Sequence, residues 1–322
     1  MAAEAGVAAS TVSRAFSDPG RVNARTREHV VGVARRLGYQ PNPMARALPS
    51  GRTQTVALVV PDITNPHFFG VIRGAERQVN AAGFTLILVD TQESAEAEAR
   101  HVERLSRAVD GIILASSRLP DERIQALAKG RVLTLVNREV PGMHSVVSDQ
   151  SEGSRQVVEH LASLGHRSLV FLGGPRASWA GARRWRALAA TAPRLGVTVQ
   201  RLGPFPPALA GGAAAADAAI GHRATALVAH NDLLAFGVLR RLAERGVRVP
   251  EDVSVVGYDD IFGADFCTPP LTTLAGAGEK VGRAAVDVLL RVLEHGTAEL
   301  APQSIVLPSH LVIRASTGPA AR

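Results

Sequence analysis

With a single cysteine, Cys267, among 322 residues, the chain cannot form an internal disulfide and must be held by its core. Aromatic residues are scarce, at 4%, so that core has to be largely aliphatic. Lysine is nearly missing: apart from Lys129 and Lys280 the positive charge is all arginine. Hydrophobic residues make up 46% of the chain, yet no apolar run approaches the roughly 20 residues that cross a bilayer. The start has no signal-peptide pattern, and with one cysteine this points to a cytoplasmic protein away from the membrane. HExxH, GxSxG and P-loop patterns are missing, and no Cys/His set has zinc spacing. Neither an enzyme nor a metal or cofactor is expected.

What is present is unevenly placed. The net charge is +7, and residues 1–55 hold eight arginines against Glu4, Asp18 and Glu28, an excess of five in about a sixth of the chain. A small basic segment on a near-neutral body is the footprint of a nucleic-acid reader with a second function. Gly6 to Phe16 reads as the tight turn of a helix-turn-helix, with Gly6 closing a first short helix and a second starting soon after. On that second helix Val12, Ala15 and Phe16 face inward, leaving Ser10, Thr11, Ser13 and Arg14 outside. A small, hydroxylated, basic face fits a DNA major groove. The solvated face of an ordinary helical hairpin fits these residues as well. Asp18-Pro-Gly-Arg21 is turn chemistry, Asn23 suits an N-cap, and Val30, Val33, Ala34 and Leu37 give a third helix its buried face until Gly38 stops it. Residues 42–52 read as a linker holding a tiny helix, capped by Asn42 and running from Pro43 to Leu48 before Pro49. So short a helix forms only when something packs on it.

From Val56 the pattern becomes short apolar runs alternating with helical stretches, at 56–60, 85–89, 111–114, 132–136 and 146–148, and again at 169–172, 226–229 and 253–257. This is parallel-sheet α/β code in two series, implying two doubly wound lobes with a cleft where the strand ends face each other. Polar residues gather at those ends: Asp62 and Asn65, Asn137-Arg138, Asn231-Asp232 and Asp259-Asp260. Asp62, Asp232 and Asp260 read as loop caps. As a group, amides, carboxylates and an arginine suit a neutral polyhydroxylated ligand, whose hydroxyls both donate and accept.

These residues resemble the lactose-repressor (LacI/GalR-type) family of bacterial transcription regulators nearly end to end. The resemblance rests on Ala5-Gly-Val-Ala-Ala-Ser-Thr-Val-Ser-Arg14, Leu37-Gly-Tyr-Gln-Pro-Asn42 with Ala45-Arg46 and Leu48, and Val60-Pro-Asp-Ile-Thr-Asn-Pro66. It continues in Gly165-His-Arg, Gly173-Gly-Pro, Asn231-Asp232, Val249-Pro-Glu-Asp-Val-Ser-Val-Val-Gly-Tyr-Asp-Asp260 and Pro270-Leu-Thr-Thr273. It implies an all-α helix-turn-helix domain at 1–41, a hinge at 42–52, and a two-lobed effector and dimerisation domain at 53–322 built like periplasmic binding proteins. The chain would cross between lobes near 148–153, 274–278 and 308–314.

The function so implied is repression from near-palindromic, double-stranded operator DNA by a homodimer, under control of a small ligand, a sugar or sugar derivative. Ala9, Ser10 and Arg14 would meet base edges, and Thr11, Ser13, Asn23, Thr26 and Tyr39 phosphates, with Arg21 a further candidate. Asn42, Ala45 and Leu48 would serve the hinge, Leu48 wedging into the minor groove. Asn65, His67, Phe68, Asn137, Arg138, Arg184, Asn231 and Asp259 would contact the effector, where Phe68 could stack on a sugar or simply fill core. Relatives carry several residues before the position of Met1, so a shortened first helix is expected. Ala8 replaces the usual Ser cap, Pro49 a helix former, and Gly276 a common Gln. No leucine-rich heptad tail follows Ser316, so a dimer rather than a tail-linked tetramer is expected. The stretch Gly276-Ala-Gly-Glu-Lys-Val-Gly282 imitates a dinucleotide loop but reads better as helix-start packing. A secreted solute-binding protein would account for the two lobes but not for the basic N-terminal module.

Overall fold

The computed structural model describes residues 1–17, 19–39, 52–222, 224–296 and 299–321. It separates into two units, Met1–Gln54 and Thr55–Arg322. Asn42, Ala45, Leu48 and Pro49, with the expected hinge helix, lie outside the described residues.

In the first unit Met1 to Ala5 make one turn, closed by Ala5 N–H donating to Met1 O at 2.9 Å. Gly6, at φ +60°, turns the chain so that its own N–H reaches Ala3 O and that of Val7 reaches Ala2 O, both at 3.2 Å. That pairing is how a left-handed glycine ends a helix. Helix α1 (Ala9–Ser17) follows, its first carbonyl acceptor being Ala8, which receives the N–H groups of Thr11 and Val12. Helix α2 (Ala24–Arg36) starts at Asn23, whose Oδ1 accepts from Arg25 N–H at 3.0 Å. The apolar spacings of the two helices meet in one cluster of Ala5, Val12, Ala15, Val30 and Val33. Leu37 differs from the expectation of burial and is 51% exposed, because α2 ends at Arg36 and Leu37 is its C-cap, past the last turn that faces the core.

The second unit forms two lobes, each with a six-stranded sheet. Lobe 1 contains β1 (Thr55–Val60), β2 (Thr85–Asp90), β3 (Gly111–Ala115), β4 (Leu133–Val136), β5 (His144–Ser148) and β11 (Ser304–Leu307), all parallel, in the order β11-β5-β4-β3-β1-β2. Lobe 2 contains β6 (Ser168–Leu172), β7 (Thr198–Leu202), β8 (Ala226–Ala229), β9 (Ser254–Asp259), β10 (Thr272–Ala275) and β12 (His310–Val312), in the order β12-β10-β9-β8-β6-β7. There β12 alone runs antiparallel.

Alternate residues of a strand point to opposite faces, and here both faces are covered. Val56, Leu58 and Val60 of β1 pack with α3 (His67–Ala81) and α10 (Gly278–His295), whereas Ala57 and Val59 pack with α4 (Ala95–Leu105) and α5 (Asp121–Ala128). In lobe 2, Leu227 and Ala229 of β8 face α8 (Gly212–Ile220) and α9 (Asp232–Glu244), and Ala226 and Val228 face α6 (Gln150–Ser163) and α7 (Trp179–Thr191). This two-sided burial is why the central strands are written as unbroken apolar runs.

The chain passes between the lobes three times, from β5 to α6, from β10 to α10, and from β11 to β12. Helices α3 and α10 touch backbone to backbone: a Cβ on Gly282 would stand 2.1 Å from Val71 O. Gly278 and Gly282 of the dinucleotide-like stretch therefore serve helix packing, while Gly276 faces Ser148. Among the described residues four strands escape the sequence pattern. β7 reads Thr-Val-Gln-Arg-Leu at a sheet edge, β10 begins with two buried threonines, and β11 and β12 are short.

Candidate nucleic-acid interface and effector cleft

On the first unit, Ala9, Ser10, Ser13 and Arg14 of α1 are exposed on one side, and Thr11 is half-buried beside them. Arg21 and Asn23 are exposed between the helices, and Thr26, on the first turn of α2, is half-buried. Tyr39 is 42% exposed, with its ring 6.1 Å from that of Phe16. The hydroxylated and basic groups thus lie opposite the Val12–Ala15 side that forms the core. His29 Nε2, 3.2 Å from Ala5 O, ties α2 to the first turn.

In the second unit the strand ends of the two lobes meet around one cavity lined by Asn65, His67, Phe68, Asn137, Arg184, Asn231 and Asp259. Its lobe 2 wall is built on Arg184 of α7, 5% exposed. The guanidinium donates from Nη2 to Asp259 Oδ1 at 2.9 Å, from Nε to Gln150 Oε1 at 2.7 Å, and from Nη1 to the His230 carbonyl. It also lies over the Tyr258 ring, 4.3 Å from the centroid. Burial pushes the Tyr258 hydroxyl up to about 12, and it hydrogen-bonds Ser154 Oγ at 2.9 Å. The His230 ring is held well below the ordinary histidine range, by burial first and then by the nearby arginines, so it is neutral.

The lobe 1 wall starts at the first turn of α3. Asn65 Oδ1 accepts from His67 N–H at 3.0 Å, fixing the loop. Asn137 Nδ2 stands 3.0 Å from His67 Nε2, and His67 Nδ1 stands 3.3 Å from Asp259 Oδ1. With the amide donating to Nε2, the Nδ1 proton faces the carboxylate, and a chain Asn137–His67–Asp259–Arg184 crosses from one lobe to the other. Phe68 is 3% exposed and edge-on to His67, so it fills the core behind the cavity and offers little face for stacking.

Arg138 does not join this group. Its guanidinium turns away to Leu119 O at 3.1 Å and Asp121 Oδ1 at 2.5 Å. Asn231 lines the cavity while capping α9, its Oδ1 accepting from Leu234 N–H and its Nδ2 donating to Pro207 O. Asp62 accepts from the N–H and hydroxyl of Thr64, and Asp260 pairs with Arg314 at 2.8 Å. Asp232 is fully buried and accepts from Ile261 N–H and the Thr273 hydroxyl; burial, then the charge of Asp259, raises its carboxyl well above the usual range.

Several lining residues were not among the sequence candidates: Glu93, Ser116, Arg118, Gln150, Ser178 and His230. Glu93, Ser116 and His230 follow β2, β3 and β8, so the strand-end rule that found Asn137 would have reached them. Gln150 and Ser178 start helices and carry no such signal. Backbone strain marks the same place. Of the seven described non-glycine residues at positive φ, four (Glu93, Ser116, Asn137 and Asp259) line this cavity. Such strain survives only where the surroundings impose it, and it gathers at binding sites.

Residues 1–42 match the family described as bacterial regulatory proteins, lacI family, and residues 158–317 match the periplasmic binding protein-like domain. The HTH-type transcriptional regulator DegA of Bacillus subtilis is 31% identical over 99% of this chain and 97% of its own length. Among solved structures, the Lac repressor dimer bound to operator and an anti-inducer superposes with a TM-score of 0.88 at 26% identity, covering 98% of this chain and 97% of that one. A transcriptional regulator CelR–cellobiose complex does so at 0.74 and 32% identity, over 98% of both chains.

Proposed function

The chain belongs to the LacI family of bacterial regulatory proteins and is a DNA-binding transcription regulator, and from that premise we propose a dimeric repressor whose hold on a near-palindromic operator is set by an uncharged sugar-like ligand between its lobes. The observation that carries the ligand half is the Asn137–His67–Asp259–Arg184 chain, because the groups suited to a polyol are those that join the lobes. The cavity between them is about 50 Å³, small beside the roughly 150 Å³ that accommodates a benzene ring. A sugar therefore enters only as the walls separate, exchanging the His67–Asp259 contact for its own hydroxyls. Ligand binding and lobe angle then become one equilibrium, the requirement for coupling to a distant DNA site.

Residues 1–41 read the DNA in this scheme, with Ala9, Ser10 and Arg14 at base edges and Thr11, Ser13, Arg21, Asn23, Thr26 and Tyr39 at the backbone. Residues 42–52, through Asn42, Ala45 and Leu48, form the hinge, and 53–322 the effector and dimerisation domain. The work is cytoplasmic and involves no catalysis. The test is selection of the full chain on a random duplex library by fluorescence anisotropy, at low and physiological salt, followed by a panel of neutral sugars that includes cellobiose. A palindromic consensus released or tightened by one sugar is the expected result. No enrichment even at low salt would remove the DNA-reading role.

A further inference from the structure

The part of the cleft wall formed by Glu93 and Arg118 has no role in the scheme above. The Arg118 guanidinium makes a two-point ion pair with Glu93, Nε to Oε2 at 2.6 Å and Nη2 to Oε1 at 2.9 Å, and donates from Nη1 to Ser116 O at 2.9 Å. An arginine has five N–H groups, so two remain beyond these bonds. The Arg118 side chain is 10% exposed and lines the cavity together with Glu93. Beneath it, buried Glu98 accepts from Arg118 N–H at 2.9 Å and from the Ser117 hydroxyl, so the loop that presents Arg118 is held in place. Glu93, after β2, and Ser116, in the held loop after β3, both sit at positive φ, +60° and +47°.

The facing wall repeats the arrangement. Arg184 is clasped by one carboxylate, Asp259, and by one strand-end carbonyl, His230, as Arg118 is by Glu93 and Ser116. Two arginines thus look into the cavity from opposite lobes, each cancelled by its own carboxylate. A neutral ligand finds donors and acceptors side by side on both walls. An anionic ligand finds each arginine already matched, and its attraction to Arg118 is offset by repulsion from Glu93 in contact with it. Without Glu93, Arg118 would lose the carboxylate that covers its guanidinium, with only Glu98 behind its backbone nearby, and would present free N–H groups in a largely buried wall, the geometry that binds phosphate or carboxylate.

We propose that Glu93 is the charge filter of the cleft: by matching Arg118 it restricts the site to uncharged polyhydroxylated ligands and excludes phosphorylated or carboxylated ones. This rests on the cleft being the effector site, but its test needs neither effector nor operator. Inorganic phosphate is titrated calorimetrically into the full chain, with sodium chloride at matched ionic strength as reference. Glu93→Gln binds phosphate about tenfold or more tightly than the unmodified protein, as an uncovered guanidinium should. Glu93→Asp, which keeps the charge, stays at the unmodified level, and Glu93→Gln with Arg118→Gln loses the gain, subtracting any phosphate taken by the basic N-terminal unit. Should Glu93→Gln melt early, Glu93→Ser replaces it with the same expectation. Equal phosphate affinity with and without Glu93, or a gain that survives the loss of Arg118, overturns the proposal. Operator binding is recorded on the same samples without ligand; its absence counts against the regulator reading alone.

Discussion

The two units differ in how they are held. The first rests on one cluster of Ala and Val side chains, in which Val30 and Val33 are fully buried, and it places arginine and serine on the outside. The second buries both faces of two sheets in four clusters and can carry strained backbone, buried arginines and a neutral buried histidine around its cleft. A core of the first kind supplies no more than about 3–5 kcal/mol, so small changes tune it. A core of the second kind over-determines its loops, and that is what a preorganised binding site needs.

The largest effect expected is on the weaker unit. Val33→Asp puts a carboxylate at a fully buried position, costing several kcal/mol, about the whole stability of that core. Operator binding is lost while the main calorimetric transition of residues 55–322 stays put; a shift of that transition would show that the units do not fold separately. The converse break is Asp259→Asn, which leaves buried Arg184 without its carboxylate. It removes the sugar response and keeps operator affinity in anisotropy titrations, and a response that persists would take Asp259 out of the site.

Acid sharpens the same contrast. His144, His160, His166 and His230, all in the second unit, have folded pKa values below the ordinary 6.5, each with burial as the first cause. The unfolded chain therefore binds protons first as pH falls below about 6.5, so their contribution is complete above that value and is lost on the way down. Calorimetry from pH 7.5 to 5.5 should show the second unit losing melting temperature and the first much less. Asp232, whose raised carboxyl binds its proton in the folded state, works in the opposite sense, so the comparison is made in Asp232→Asn, where a flat profile for the second unit would contradict the buried neutral histidines.

Two smaller effects refine the picture. Ala8→Ser restores a side-chain acceptor at the N-cap of α1 and stabilises the first unit by about 1 kcal/mol, seen as a higher melting temperature and tighter operator binding. Arg138→Lys should leave sugar affinity unchanged in calorimetric titration, since its guanidinium is spent on Leu119 O and Asp121. A marked loss would return Arg138 to the cleft.

Much of the fold is legible because its signals are local. The glycine at 6 and the Val12–Phe16 spacing mark the turn and α1, and runs such as Val56–Val60 mark strands buried on both faces. β10 escapes because the burial of Thr272 and Thr273 comes from neighbours rather than from their own composition, and β7, β11 and β12 escape as short or polar edge strands with little burial of their own. The candidate site is legible wherever a polar residue ends an apolar run, as at Asn137 and Asp259. Arg138, one residue on, shows the limit: the string of letters does not say which way a side chain points once the backbone leaves the strand, and here Asn137 at φ +52° faces His67 while its neighbour faces Asp121.

By itself the sequence determined the periodicity of each element, the basic character of residues 1–55 and the stock of polar groups at strand ends, since all three depend on residues close together in the chain. Only the tertiary structure decided which strand ends face each other, that His67 and Asp259 bridge the lobes, and that Glu93 covers Arg118. The first two depend on how the lobes pack across crossing connections, and the third on positive-φ turns that bring the ends of β2 and β3 together within lobe 1; neither is a local preference.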